Sequence, residues 1–226
     1  LGEGKDLGQL GNIYRRLNKT ERAIWCHEAS LAISREIGNR HSEGIALSNL
    51  GAIYSDLGDI RRTIGYFEQA LTIHREIKDR YSEGIALGNL GNAYADLGDA
   101  HRAIEHCSSA LLIRQEVGDR LGESNDLSNL GRAYGQLGDD RRAIEYFERA
   151  VAMSRTIGDR RGEGIDLGNI GNACTQLGDT RQAIIYYEQA LSIYREIGSF
   201  GGVADVSFKI ARLYAQQEDV ALALPL

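Results

Sequence analysis

The chain repeats itself every 40 residues, without insertion or deletion. From Leu47 it reads LSNLGAIYSDLGDIRRTIGYFEQALTIHREIKDRYSEGIA. From Leu87 it reads LGNLGNAYADLGDAHRAIEHCSSALLIRQEVGDRLGESND, and the pattern also starts at Leu7, Leu127 and Leu167. A divergent half-copy, VSFKIARLYAQQED, follows from Val206. So constant a length is demanded only by a regular supersecondary unit stacked on copies of itself. The expected organisation is one array over residues 1–226, with units at about 4–43, 44–83, 84–123, 124–163 and 164–203 and a partial unit at 204–226.

Each unit reads as two helices. The spacing predicts a first helix such as Ser82 to Leu97, closed by Gly98-Asp99, a C-terminal glycine followed by a helix-initiating Asp. Gly58-Asp59, Gly138-Asp139 and Gly178-Asp179 repeat the pair; Asn18-Lys19 departs from it, although Asn also tolerates the left-handed conformation. The second helix, such as Ala100 to Val117, ends at Gly118-Asp119, matched by Gly38-Asn39 and Gly158-Asp159. Connections this short force the helices to lie antiparallel and in contact. Leu87, Leu90, Gly91, Tyr94 and Leu97 form one apolar stripe at helical spacing and are expected to be core. Its glycine recurs as Gly11, Gly51, Gly91, Gly131 and Gly171. A mid-helix glycine costs roughly 1 kcal/mol against alanine, so its recurrence points to close approach of helix backbones. In the second helix Ile24, Ile64, Ile104, Ile144 and Ile184 recur, each with a small residue six further on: Ser30, Ala70, Ala110, Ala150 and Ala190. These too are expected in the core.

Charge and composition narrow the function classes. A formal charge of −6 argues against a nucleic-acid binder, which needs a basic stripe, and against docking on anionic membranes. No stretch approaches the ~20 apolar residues of a membrane span. Cys26, Cys107 and Cys174 are odd in number and lack metal-ligand spacing, so neither a disulfide framework nor a zinc site is expected. A reducing, cytoplasmic setting follows as the expectation. The chain opens at Leu1, inside a first helix, and reads as a segment of a longer protein.

The order L-G-x-x-Y, then G-D, then A-I, then A-L resembles the tetratricopeptide repeat over residues 4 to 219. The proline that usually closes the second helix is missing, and that helix is extended. In this the chain is similar to the long-repeat branch, with kinesin light chains, Pins-type adaptors and bacterial arrays beside STAND ATPases. The resemblance implies an all-α, right-handed superhelical solenoid of antiparallel helix pairs, its concave face lined by the first helices. It also implies protein or peptide partners and no cofactor.

A ligand face can be placed independently. At ~100° per residue, positions 85, 88, 89, 92, 95 and 96 centre opposite the core stripe, where only solvent or ligand is expected. One column there reads Gln9, Asn49, Asn89, Asn129, Asn169, Lys209, and another Asn12, Ala52, Asn92, Arg132, Asn172, Arg212. Asparagine is a poor mid-helix residue, so a ladder of them invites a reason. Either the amides grip the main chain of an extended peptide, or they tie neighbouring repeats together. Tetratricopeptide grooves hold peptide backbone with asparagines at such positions, as the resemblance implies. Amides alone supply too little free energy, so Arg15, Arg16, Asp56, Asp96, Arg132, Lys209 and Arg212 are candidates for side-chain recognition. Cations toward both ends and acids between them favour a ligand with acidic ends. The family's carboxylate clamp is absent: Asn12 and Asn49 are present, but Gly8, Ile85 and Asn89 stand at its cation positions.

No catalytic constellation is present, and the chain is expected not to be an enzyme. The histidines (His27, His41, His74, His101, His106) fall at different repeat positions around no acid or nucleophile. Arg40, Arg80, Arg120 and Arg160 stand three before Glu43, Glu83, Glu123 and Glu163, which reads as a surface ion pair. The expected function is a scaffold holding a partner segment along the concave groove. The alternative is a spacer or self-assembly element, with end-to-end pairing through Leu222, Leu224 and Leu226 beyond a second helix cut short near Pro225.

Overall fold

The computed structural model describes residues 2–223, and side chains as far as residue 216. Eleven α-helices and no strand occur among the described residues. They fall into two compact units, residues 1–118 and 119–226. The first holds α1 (Gly2–Arg16), α2 (Thr20–Glu36), α3 (Arg40–Asp56), α4 (Ile60–Glu76), α5 (Arg80–Leu97) and α6 (Ala100–Val117). The second holds α7 (Arg120–Gln136), α8 (Asp140–Ile157), α9 (Arg160–Gln176), α10 (Thr180–Glu196) and α11 (Phe200–Ala223). Odd-numbered helices are the first helices of the sequence repeat and even-numbered ones the second. Within each unit, helices adjacent in sequence pack on one another, and first helices also touch, α1 with α3 and α7 with α9.

The turns follow their chemistry. Asn39, Asp59, Asp79, Asp99, Asp119, Asp139, Asp159 and Asp179 each accept a hydrogen bond from the amide three residues on, satisfying a donor that the helix leaves open. The residue before each is left-handed, a glycine everywhere except Lys78, at φ 58°.

The recurrent mid-helix glycines are where second-helix side chains press on first-helix backbone. A Cβ on Gly51, Gly131 or Gly171 would lie 2.6–2.8 Å from the ring of Phe67, Phe147 or Tyr187. At Gly91 the facing residue is Cys107, and the new Cβ would meet its Sγ at 2.2 Å and its backbone nitrogen at 3.1 Å. Gly91→Ala is therefore expected to destabilise the protein by about 2 kcal/mol despite alanine's helix propensity. In a Cys107→Ala background most of that loss should vanish, as a urea double-mutant cycle can measure.

Several expected core positions lie elsewhere. Leu97, with Leu17, Leu57, Leu137 and Leu177, is exposed because the stripe outruns its partner helix at the last turn. Ile24, Ile64, Ile104 and Ile144 are only half-buried, while Ile184 and the small residues six positions on are buried. The Glu of the Arg–Glu pair is not at the surface. Glu43, Glu83, Glu123 and Glu163 are buried. Glu163 receives Arg160 from its own helix and Arg155 from the helix before, and Arg160 reaches on to Glu196. The same chain joins Arg35, Glu43, Arg40 and Glu76, and again Arg75, Glu83, Arg80 and Glu116. Each is a four-residue ionic clasp across three successive helices.

The helix from Phe200 runs unbroken to Ala223, without the turn that the repeat would place at residues 218–219. Glu218 stands there in place of the glycine that turns the chain in the other units. The side chain of Leu222 and residues 224–226, on which the expected end-to-end contact rests, lie outside the described residues.

Candidate functional site

An inner first helix packs both on its own partner and on the preceding second helix, as α5 does on α6 and α4, and α9 on α10 and α8. Its open strip is consequently narrower than one-helix geometry implies. Gly88 and Ala95, expected on the open side, are buried. The open strip that remains on each helix is 45, 49, 52, 56 on α3 and 85, 89, 92, 96 on α5 in the first unit, and 165, 169, 172, 176 on α9 in the second. Asn49, Asn89, Asn92, Asn169 and Asn172 all lie on it and are half-buried. Asn129 and Arg132 hold the same places on α7. Exposed Ile45 and Ile165, and half-buried Ile85, share the strip. Sequence reasoning passed over them as recognition residues, though their 40-residue recurrence on a polar face was the available signal.

In the first unit, α1, α2 and α3 enclose a cleft of about 300 Å³ whose walls include Lys5, Gln9, Asn12, Ile45 and Asn49. His27 forms its floor. The imidazole is fully buried, and neither ring nitrogen has a hydrogen-bond partner. Burial, helped by the charge of Arg15, pushes its pKa down to about 4, so the ring is neutral at physiological pH. His27 stands where later units carry Phe67, Cys107, Phe147 and Tyr187, and that polar entry in an otherwise core column was its signal.

Two of the proposed recognition charges find each other. Arg15 Nε donates to Asp56 Oδ2 at 2.7 Å, so they compensate one another. Arg16 and Asp96 are exposed.

In the second unit, α7, α8 and α9 enclose a cleft of about 200 Å³ lined by Arg132, Asn169, Asn172, Gln176 and, at its base, Phe147. Three candidates thus converge, Arg132 from α7 and Asn169 and Asn172 from α9. Asn172 Oδ1 accepts from the Tyr187 hydroxyl at 2.8 Å, which fixes the amide with its NH₂ as the remaining donor. Lys209 pairs with Asp205 at 2.8 Å and lies 5.9 Å from the centre of the Tyr187 ring; Arg212 is exposed on the same helix.

Asp166 of α9, almost wholly buried, faces α7. Ser128 Oγ donates to its Oδ2 at 2.8 Å, while Oδ1 has no hydrogen-bond partner. Burial, aided by the charge of Asp159 and partly offset by the side chains of Ser128 and Asn169, raises its pKa to about 7. The first unit carries Ala46 and Ala86 at this place.

Among the described residues no group of three or more His, Cys, Asp or Glu is placed to hold a metal ion. No described helix is long and apolar enough to cross a membrane.

No curated protein sequence matches the chain. The family model for the tetratricopeptide repeat matches residues 7–76, 82–156 and 167–226. Among solved structures, a Podosopora anserina kinesin light chain with nearly identical repeats is similar at 19% identity and TM-score 0.72, covering 86% of this chain and 95% of that one. A Pyrococcus horikoshii STAND protein with a tetratricopeptide repeat sensor is similar at 17% identity and TM-score 0.80, covering 96% of this chain but 35% of that one. A Rap protein complexed with Competence and Sporulation Factor is similar at 16% identity and TM-score 0.71, covering 97% and 68% respectively. Identities this low speak for the fold alone. The family model, matching well over half of the sequence with the repeat's own period, shows that the chain belongs to the tetratricopeptide repeat family.

Proposed function

We propose that the protein is a binding scaffold that holds an extended segment of another protein against the open strip of its first helices. The observation that carries this reading is the cleft of the second unit, where Arg132, Asn169 and Asn172 converge over Phe147. The Asn172 amide is oriented by Tyr187, leaving donors to meet a peptide carbonyl. Ile165 on the same strip supplies the apolar contact that amides cannot, since a net hydrogen bond contributes only about 1 kcal/mol. The Rap protein complexed with a factor lends support by fold alone. Because Arg15 and Asp56 neutralise each other, the exposed cations among the recognition candidates are Arg16 in the first unit and Arg212 in the second. That set favours a segment with acidic residues.

The reading is tested by selecting displayed random peptides on the wild-type protein and counter-selecting on a variant carrying Arg132→Ala and Asn169→Ala. Enriched peptides should share a motif and bind the variant about tenfold or more weakly. Enrichment of nothing, or equal binding to a variant that remains folded, would make the asparagines structural.

A further inference from the structure

A second surface, on the side of the second helices, stands out because a repeated feature is missing from it. In three repeats an arginine lies over a first-helix tyrosine, which stacks on an aromatic ring of the second helix. The sets are Arg62, Tyr54 and Tyr66; Arg102, Tyr94 and His106; and Arg142, Tyr134 and Tyr146. Each arginine is also held by the helix-capping aspartate, Asp59, Asp99 or Asp139. In the second of these sets the Tyr94 hydroxyl donates to Glu68 on the preceding second helix at 3.1 Å.

In the fifth repeat the frame remains but its filling is gone. Cys174 replaces the tyrosine and Gln182 the arginine, while Asp179, Tyr186 and Glu148 keep their places. Tyr186 donates instead to Glu148, at 3.2 Å. A groove of about 310 Å³ opens there between α8, α9 and α10, walled by Val151, Leu167, Ile170 and Ile185 beside Tyr186 and Glu148. Ile185 is exposed, where the three stacked repeats carry Gly65, Glu105 and Glu145. Arg155, the cation at the groove's edge, is committed to Glu163 at 2.6 Å. An aromatic ring, a carboxylate and an aliphatic wall are therefore left in the repeat that lacks its own guanidinium.

We infer that this groove receives an arginine side chain from a protein partner, beside an aliphatic residue that packs on Ile185. The guanidinium lies over the Tyr186 ring, in the place of the first-helix tyrosine that Cys174 replaces, and meets Glu148. Arginine is favoured over lysine because its planar cation both stacks and bonds in a fork. The site lies apart from the first-helix strip and does not depend on the function proposed for that strip.

The test is a titration of ¹³C-labelled protein with the blocked pentapeptide Ac-Leu-Ala-Arg-Ala-Leu-NH₂, followed by NMR at the Ile185 methyl and Tyr186 ring signals. Both should shift, with a Kd of about 1 mM. A peptide with Gln in place of Arg should bind about tenfold more weakly. Glu148→Gln should weaken the Arg peptide about fivefold. The pair Cys174→Tyr and Gln182→Arg, which rebuilds the internal stack, should abolish binding, whereas Asn169→Ala should leave it unchanged. If the rebuilt pair does not fold, the single Gln182→Arg at an exposed position carries the same expectation. Equal binding of the Gln peptide, undiminished binding to a folded rebuilt variant, or signals at Ile185 and Tyr186 that do not move would each overturn the inference.

Discussion

Replacing Asp166 by Ala should stabilise the second unit by as much as about 4 kcal/mol at pH 8 and by almost nothing at pH 4. The carboxyl is buried between α7 and α9, with one oxygen on Ser128 and the other without a partner, and its pKa rises to about 7. A shift of that size from the ordinary carboxylate value corresponds to roughly 4 kcal/mol at 1.36 kcal/mol per unit. The sign follows from linkage. The folded state holds this proton more tightly than the unfolded chain, so stability is highest in acid, falls as pH rises between about 4 and 7, and then levels off. Alanine removes the penalty at the place where the first unit carries Ala46 and Ala86. Urea denaturation of both proteins from pH 4 to pH 8 gives the difference. A constant offset would mean that Asp166 ionises as an ordinary acid.

The first unit should respond to pH in the opposite sense, and His27→Phe should show it. His27 has both ring nitrogens buried without partners and a pKa of about 4. A histidine whose folded pKa is depressed is destabilising once protonated: stability is full above about 6.5 and is lost as pH falls toward 4. The loss approaches about 3 kcal/mol. Phenylalanine suits the position, since Phe67 and Phe147 already sit against the equivalent glycines Gly51 and Gly131. His27→Phe should therefore slow hydrogen exchange in α1 and α2 at pH 5, with a smaller gain at pH 8. Equal protection at pH 5 would place His27 in contact with water. Between pH 7 and pH 5 the wild-type chain should loosen in its first unit and tighten in its second.

The local grammar of the fold was legible because it repeats. Five copies expose the capping aspartates, the left-handed glycines and the mid-helix glycines as columns, and each column has one physical cause. The failures concern what arrives from another helix. An Arg–Glu pair at i, i+3 looks like a surface bond until a second arginine, eight residues before the glutamate, buries it, as Arg155 does to Glu163. Arg15 and Asp56 read as separate recognition charges because they are 41 residues apart, yet they meet at 2.7 Å. Gly88 and Ala95 lie opposite the core stripe on a single helix but are buried, because α5 packs against both α4 and α6. The candidate strip was legible as a column of asparagines. Its isoleucines were legible only as a recurrence at 45, 85 and 165 on a polar face, and their degree of exposure is set by packing from other helices.

Whether a partner segment lies on the first-helix strip can be read from calorimetric titration of one selected peptide into three proteins: wild type, an Asn169→Ala and Ile165→Ala double variant, and Glu148→Gln. The strip variant should lose about 2 kcal/mol or more of binding free energy while Glu148→Gln, on the opposite side, binds as wild type. Undiminished binding to the strip variant, or a loss confined to Glu148→Gln, would contradict that placement.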